Sequence, residues 1–213
     1  MFGNKMKNIT CLDHPILQQK LGQLRDKETP SYIFKSLLRD ITQFMVYEAM
    51  RDLKLSYKTV QTPLQEASVA IIDECPVIIS IMRAGNGMLE AASALLPDAN
   101  GGHIGIYRDH LSHNTIEYYL NLPGDVKGKT ALLLDPIIGT GDTVIASIDR
   151  LKAFGVKRVV CLSVLGSKEG LAKITEIHSD VIIFVVGAND ILSDNGFLLP
   201  GIGDAGDRIY NTN

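Results

Sequence analysis

Apolar and polar positions change rhythm along this chain. The first third reads as helical. Ile33, Leu37, Leu38, Ile41, Phe44 and Met45 recur at three- and four-residue spacing, which predicts a helix capped by Ser31 and ending near Arg51. From Pro76 onward, short apolar runs at 77–82, 103–107, 131–134, 159–165 and 181–186 alternate with amphipathic stretches at 88–96, 144–154 and 171–177. Runs that are apolar throughout mark strands of a parallel sheet buried on both faces. The expected class is therefore α/β, a mainly parallel sheet flanked by helices. Right-handed crossovers then gather the loops that follow the strands along one edge. Residues 104–107 and 115–120 bracket a polar stretch, 108–114, which reads as a β-hairpin flap. Beyond residue 186 periodicity fades, and five glycines fall within 187–213.

The length, 213 residues, fits one domain with three parts: a helical region at about 1–55, a core at about 76–186 and the glycine-rich segment at about 187–213. Twenty-one basic and 24 acidic residues leave a net charge of −3. That balance excludes the simplest duplex nucleic-acid binder, which needs a broad basic face, but not a local basic pocket for a small anion. Cys11, Cys75 and Cys161 share no metal-ligand or redox spacing, as expected of thiols in a reducing compartment. The longest apolar run, 181–186, falls far short of the ~20 residues of a membrane helix, and no secretory leader is visible. A soluble, cytoplasmic protein is expected.

Three segments carry chemistry. In LLLDPIIGTGDTVIAS, 132–147, a strand ends in Asp135, a loop carries Gly139, Thr140, Gly141, Asp142 and Thr143, and a helix begins near Val144. Glycines admit a ligand to the backbone, threonines donate, and a helix N-terminus offers free N–H groups to an anion. Asp135 can accept from sugar hydroxyls beside that anion. The loop has no lysine and is not a Walker sequence; a plain strand-to-helix turn is the alternative. In ISIMRAGNGM, 79–88, a buried strand runs into Arg83, placed to grip a pyrophosphate. Arg108, opening the flap, is a second arginine of the same kind. In GFLLPGIGDAGDR, 196–208, Gly201, Gly203 and Gly206 spell G-x-G-x-x-G, yet only seven residues follow, too few for a dinucleotide-binding unit. That argues against an oxidoreductase. Bare backbone groups with Asp204, Asp207 and Arg208 can instead read the edge of a flat heterocycle, unless the segment is merely a frayed loop.

Together these segments resemble the uracil phosphoribosyltransferases. DPIIGTGDT is similar to the family's phosphoribosyl-pyrophosphate (PRPP) loop, with Pro136 where other phosphoribosyltransferases carry a second acid. IMRAGNGM, GHIGIYRD, HPILQQKLGQLRD and YEAMRDL match further family segments, and PGIGDAGDR is highly specific. The resemblance runs from about His14 to the C-terminus. It implies a type I phosphoribosyltransferase fold with a C-terminal hood over the active site, and the formation of UMP and diphosphate from uracil and PRPP. Arg83 and Arg108 would hold pyrophosphate. Asp135, Pro136, Ile137, Ile138, Gly139, Thr140, Gly141, Asp142 and Thr143 would hold the ribose 5-phosphate. Leu198, Gly203, Asp204 and Ala205 would hold uracil, with Asp204 also reaching PRPP. Magnesium (Mg2+) would bind mainly through substrate and water rather than protein ligands. At least a homodimer is implied, and GTP is a known activator of bacterial members.

The chain also departs from the family. Asp142 stands where a small residue is common; its carboxylate is expected to point away from the phosphate. Asn189 replaces an Asp, Ser193 an Asn, Phe197 a Tyr and Gly139 an Ala, and the flap lacks the usual acidic pair and proline. The departures at Asp142 and Asn189 keep open a non-catalytic nucleotide-binding regulator; a phosphoribosyltransferase for another base would share the phosphate loop, but the segment 200–208 argues against it.

Overall fold

A computed structural model describes residues 8–108 and 115–212, apart from the side chains of Arg108 and Thr115. The strands are β1 (Ile9–Cys11), β2 (Leu55–Gln61), β3 (Glu66–Ile72), β4 (Val77–Met82), β5 (Gly101–Arg108), β6 (Thr115–Asn121), β7 (Thr130–Leu134), β8 (Ile137–Ile138), β9 (Arg158–Ser167), β10 (Ile182–Leu192) and β11 (Leu198–Leu199). The helices are α1 (Pro15–Arg25), α2 (Ser31–Ala49), α3 (Asn86–Leu95), α4 (Asp142–Ala153), α5 (Lys168–Ile177) and α6 (Ala205–Tyr210).

The main sheet has the order β1-β10-β9-β7-β4-β5-β6, with β8 paired to β9 and β11 to β10. Pairing is parallel except at β6 and β11. The uniformly apolar runs form its centre because both faces are covered. On one face Ile78, Leu132, Leu134 and Leu162 pack with α1, α2, α3 and α6. On the other, Ile79, Ile81, Leu133 and Cys161 pack with α4 and α5. Alternate residues of each strand thus feed opposite cores.

The helix α3, which links β4 to β5, lies on the first face, whereas α4, which links β7 to β9, lies on the second. Since β4 and β7 are neighbours, the crossovers part between them. Such a parting opens a crevice at the carboxyl ends of the two strands, where Arg83 and Asp135 stand.

Several expectations need correction. Ser31 is not a cap. Pro30 occupies that place without a side-chain bond, and the Ser31 hydroxyl donates to the Ile209 carbonyl at 2.8 Å. Ile33 and Phe44 face outward, 39% and 45% exposed, while Phe34, Thr42 and Val46 complete the buried stripe. The helix stops at Ala49 rather than near Arg51. The helical reading of the first third fails at β2 and β3, an antiparallel pair joined only to each other. The hairpin of β5 and β6 is present; the flap tip, 109–114, lies outside the described residues. The glycine-rich segment is folded: β10 runs on through Leu192, and β11 and α6 follow it.

Candidate active site

The buried strand β7 delivers Asp135 to the crevice, and the backbone there is fixed at once. The Pro136 carbonyl accepts from Val164 and Leu165 N–H at 3.0 and 3.1 Å. Two residues on, Ile137 and Ile138 pair with Leu165 and Gly166 as β8. Gly141 has φ +83°, and a Cβ there would stand 2.9 Å from the Gly170 carbonyl oxygen. A left-handed backbone against a carbonyl admits only glycine. The helix α4 starts at Asp142, so the first N–H groups after Gly141 have no partner within the helix. An apolar strand, a glycine turn and a helix N-terminus thus form a cradle with the chemistry to take an anion.

Three cavities meet over this loop. The largest, about 610 Å³, lies between residues 137–144 and the turn at 192–196. A second, about 230 Å³, lies among Arg83, Ile106, Thr143, Asp204 and Gly206. The third, about 200 Å³, lies under the hood, among Ala84, Pro136, Leu198, Gly203, Asp204 and Ala205. Asp135 lines all three. Its half-buried carboxyl is raised to about 7 by burial, an effect that the bond from Ile137 N–H opposes. Burial and the neighbouring Asp135 also push up the thiol of Cys161.

The sequence-predicted residues are therefore brought together. Ile137 through Thr143 line the large cavity. Pro136 faces the hood cavity rather than the loop cavity. Leu198, Gly203, Asp204 and Ala205 line the hood cavity as a group. Arg83 is 57% exposed at the mouth of the second cavity, with Nη2 3.1 Å from the Asp207 carboxylate. Its carbonyl accepts from the Tyr210 hydroxyl at 3.3 Å. Asp204 caps α6, accepting from Asp207 N–H at 2.9 Å, so part of its carboxylate is already engaged. The side chain of Arg108 lies outside the described residues. The Asp142 carboxylate turns onto Lys173 of α5, in keeping with the expected turn away from the anion, although Asp142 still lines the cavity.

Sequence reasoning missed Arg25, Asp190 and Ser167, which hold the hood and the loop in place, and it gave Arg208 to the heterocycle edge, whereas Arg208 anchors the hood to the α1–α2 corner. Arg25 donates from both terminal nitrogens to Asp190, at 2.7 and 2.8 Å, and to the Gly201 carbonyl at 2.8 Å. Asp190, 4% exposed, also accepts from Gly201 N–H at 2.9 Å. Arg208 stacks 4.4 Å over the Phe34 ring and donates to the carbonyls of Leu24, Ile202, Asp26 and Thr29. Desolvation lowers its pKa. Ser167 donates to the Gly139 carbonyl at 2.6 Å and accepts from Gly170 N–H at 2.8 Å. The only sequence signal for this last set was the three-residue spacing of Ser167, Gly170 and Lys173.

Residues 11–212 match the model of the family described as uracil phosphoribosyltransferase. A protein named uracil phosphoribosyltransferase from Campylobacter jejuni subsp. jejuni serotype O:23/36 (strain 81-176) is 40% identical over 207 residues, 97% of this chain and 100% of its own. One from Sinorhizobium fredii (strain NBRC 101917 / NGR234) is 41% identical over 208 residues, with the same coverage. Among solved structures, the AQ2163 protein of Aquifex aeolicus superposes with a TM-score of 0.90 at 32% identity, covering 96% of this chain and 98% of that one. An adenine phosphoribosyltransferase of Trypanosoma brucei, solved with AMP, pyrophosphate and ribose-5-phosphate, shares the fold: its TM-score is 0.62 at 15% identity, covering 90% and 88%.

Proposed function

This chain belongs to the uracil phosphoribosyltransferase family, and from that membership we propose how its residues divide the work. The enzyme transfers the phosphoribosyl group of PRPP to N1 of uracil, releasing UMP and diphosphate, a step of pyrimidine salvage. Its substrates are two small molecules. The observation that carries the assignment of residues is the meeting of three cavities at Asp135 beneath Leu198, Gly203, Asp204 and Ala205.

The 5-phosphate sits in the loop cavity, against N–H groups of Gly139 to Thr143 and the hydroxyls of Thr140 and Thr143. Asp135 accepts from the ribose hydroxyls. Arg83 leaves Asp207 for the diphosphate, with Arg108 as its partner from the adjacent strand. Breaking the bond at C1 builds positive charge on the ribose and negative charge on the leaving group. The chain therefore acts by fixing the sugar for in-line attack and stabilising the departing charge. Among the described residues no three ligating side chains cluster, while Asp135 and Asp204 together line the second cavity and the hood cavity. Those residues fit a magnesium ion brought with the substrate, and Asp204 would accept from its water. When bound, the ion supplies further positive charge to the diphosphate.

Uracil lies in the hood cavity. The N–H groups of Ala205 and Gly206 open α6 and have no partner within it, so they suit uracil O4. Cytosine would set its amino group against those donors and leave them unpaired, which discriminates strongly. The exposed Phe44, Tyr47, Leu55 and Tyr57 support assembly of at least two copies. GTP, as an activator, has no residue of the chain assigned to it. Three free cysteines and a phosphorylated substrate support a cytoplasmic setting. Among the described residues no helix is long and apolar enough to cross a membrane.

The test is UMP formation from uracil and PRPP with magnesium, repeated with cytosine and with Arg83→Ala. Turnover with uracil alone, reduced at least about a hundredfold in the variant, is expected. Equal rates on both bases would refute the hydrogen-bond assignment.

A further inference from the structure

A carboxylate is a poor neighbour for a phosphate dianion, yet Asp142 opens α4 inside the anion cradle. Both groups are drawn to the same positive helix end. The answer lies on α5, whose residues at three-residue spacing press on the loop. Ser167 holds the Gly139 carbonyl. Gly170 lies so close to that carbonyl that a Cβ would overlap it, and Ile174 borders Gly141. One turn beyond Gly170, Lys173 Nζ pairs with Asp142 Oδ1, while Oδ2 accepts from the Thr140 hydroxyl at 2.9 Å. Lys173 is 47% exposed and Asp142 22%.

We infer that Lys173 is a positioning residue for the PRPP site, holding the Asp142 carboxylate against α5 and offsetting its charge so that the cradle admits a 5-phosphate. The inference rests on the loop being that phosphate site. It requires no contact between Lys173 and the substrate. When phosphate arrives, the Thr140 hydroxyl turns from the carboxylate to the ligand, and Lys173 is then the cation that keeps Asp142 aside.

Steady-state kinetics on the full chain test this through a double-mutant cycle. Lys173→Met is expected to raise KM for PRPP about tenfold, with kcat and the KM for uracil within about twofold of the parent. Asp142→Asn is expected to lower KM for PRPP. In the Asp142→Asn background, adding Lys173→Met should change that KM by less than about twofold. UMP titrated calorimetrically against each variant should follow the same order, and urea midpoints identify a variant that has merely lost its fold. In that event Asp142→Asn alone decides, because a raised KM would show that the carboxylate serves the ligand.

A Lys173→Met enzyme with unchanged KM, or a tenfold penalty that persists without the carboxylate, overturns the inference. Thr143→Ala separates the two levels of the argument. If it raises KM for PRPP while Lys173→Met does not, the cradle stands and the role of Lys173 falls. If neither variant alters it, the cradle assignment falls as well.

Discussion

The cradle at 135–143 and the hood at 196–210 face each other across one cleft, and they are finished in different ways. The hood is pinned by the chain's own side chains. Its carboxylate Asp190 has Arg25 on both oxygens, and its arginine, Arg208, has four carbonyls. At the floor of the cradle, by contrast, Asp135 is drawn into low dielectric with its proton retained up to about pH 7. Gly141 holds a left-handed backbone, and Thr140 spends its hydroxyl on Asp142. The hood is thus held by the protein's own side chains, whereas the loop keeps polar groups turned into its cavity. Burial of a carboxyl with few partners is costly, and hydroxyls donated to Asp135 would recover part of that cost.

The contrast breaks most readily at Asp135. Its pKa rises from an ordinary 3.8 to about 7, so the folded chain binds this proton more tightly than the unfolded one. Stability from this group is complete below about pH 4 and lost as pH climbs through 7, a change of about 4 kcal/mol. Urea unfolding of the ligand-free protein between pH 4 and 8 should show that loss relative to Asp135→Asn, which lacks the titration. Activity moves the opposite way. The protonated acid accepts sugar hydroxyls poorly, so kcat/KM for PRPP should fall about tenfold per pH unit below 7. Parallel stability curves for the two proteins would place the proton elsewhere.

In the hood, Arg25→Met leaves Asp190 buried without its cation and should cost about 3 kcal/mol in unfolding free energy. Its kinetic mark is a KM for uracil that rises more than the KM for PRPP. Gly141→Ala is the counterpart in the cradle: a left-handed alanine against the Gly170 carbonyl should cost about 2 kcal/mol and raise KM for PRPP with little change for uracil. Equal effects on both substrates would mean that the two receptors are mechanically one. The smallest effect is expected from Ser167→Ala, which removes the α5 cap and a strut of the loop for about 1 kcal/mol, measured as a shifted urea midpoint.

The two regions also differ in how far the sequence announces them. The cradle is contiguous: an apolar run, Asp135, glycines and threonines, then a helix. Each part follows a local rule, and β4, β5, β7 and β9 were legible for the same reason, since burial on both faces leaves unbroken apolar runs. The hood's shape depends on pairs such as Arg25 with Asp190, 165 positions apart, and Arg208 with Thr29, 179 apart. No local pattern encodes those pairs, and the resemblance pointed only to the segment they hold. β2 and β3 were lost because no buried face imposes a clean alternation on them. β1 was lost because three residues are too few to show a period. Ser31 misled because its hydroxyl serves Ile209, a partner 178 positions away.

The reach of Arg208 has a further consequence in time. During synthesis the ribosome releases α1 and α2 long before the residue whose guanidinium closes on Leu24, Asp26 and Thr29. Until then the Phe34 ring and the carbonyls of the α1–α2 corner lack the guanidinium that covers them. Contacts of such separation form late and slowly, so the α1–α2 corner is closed only after α6 has been made.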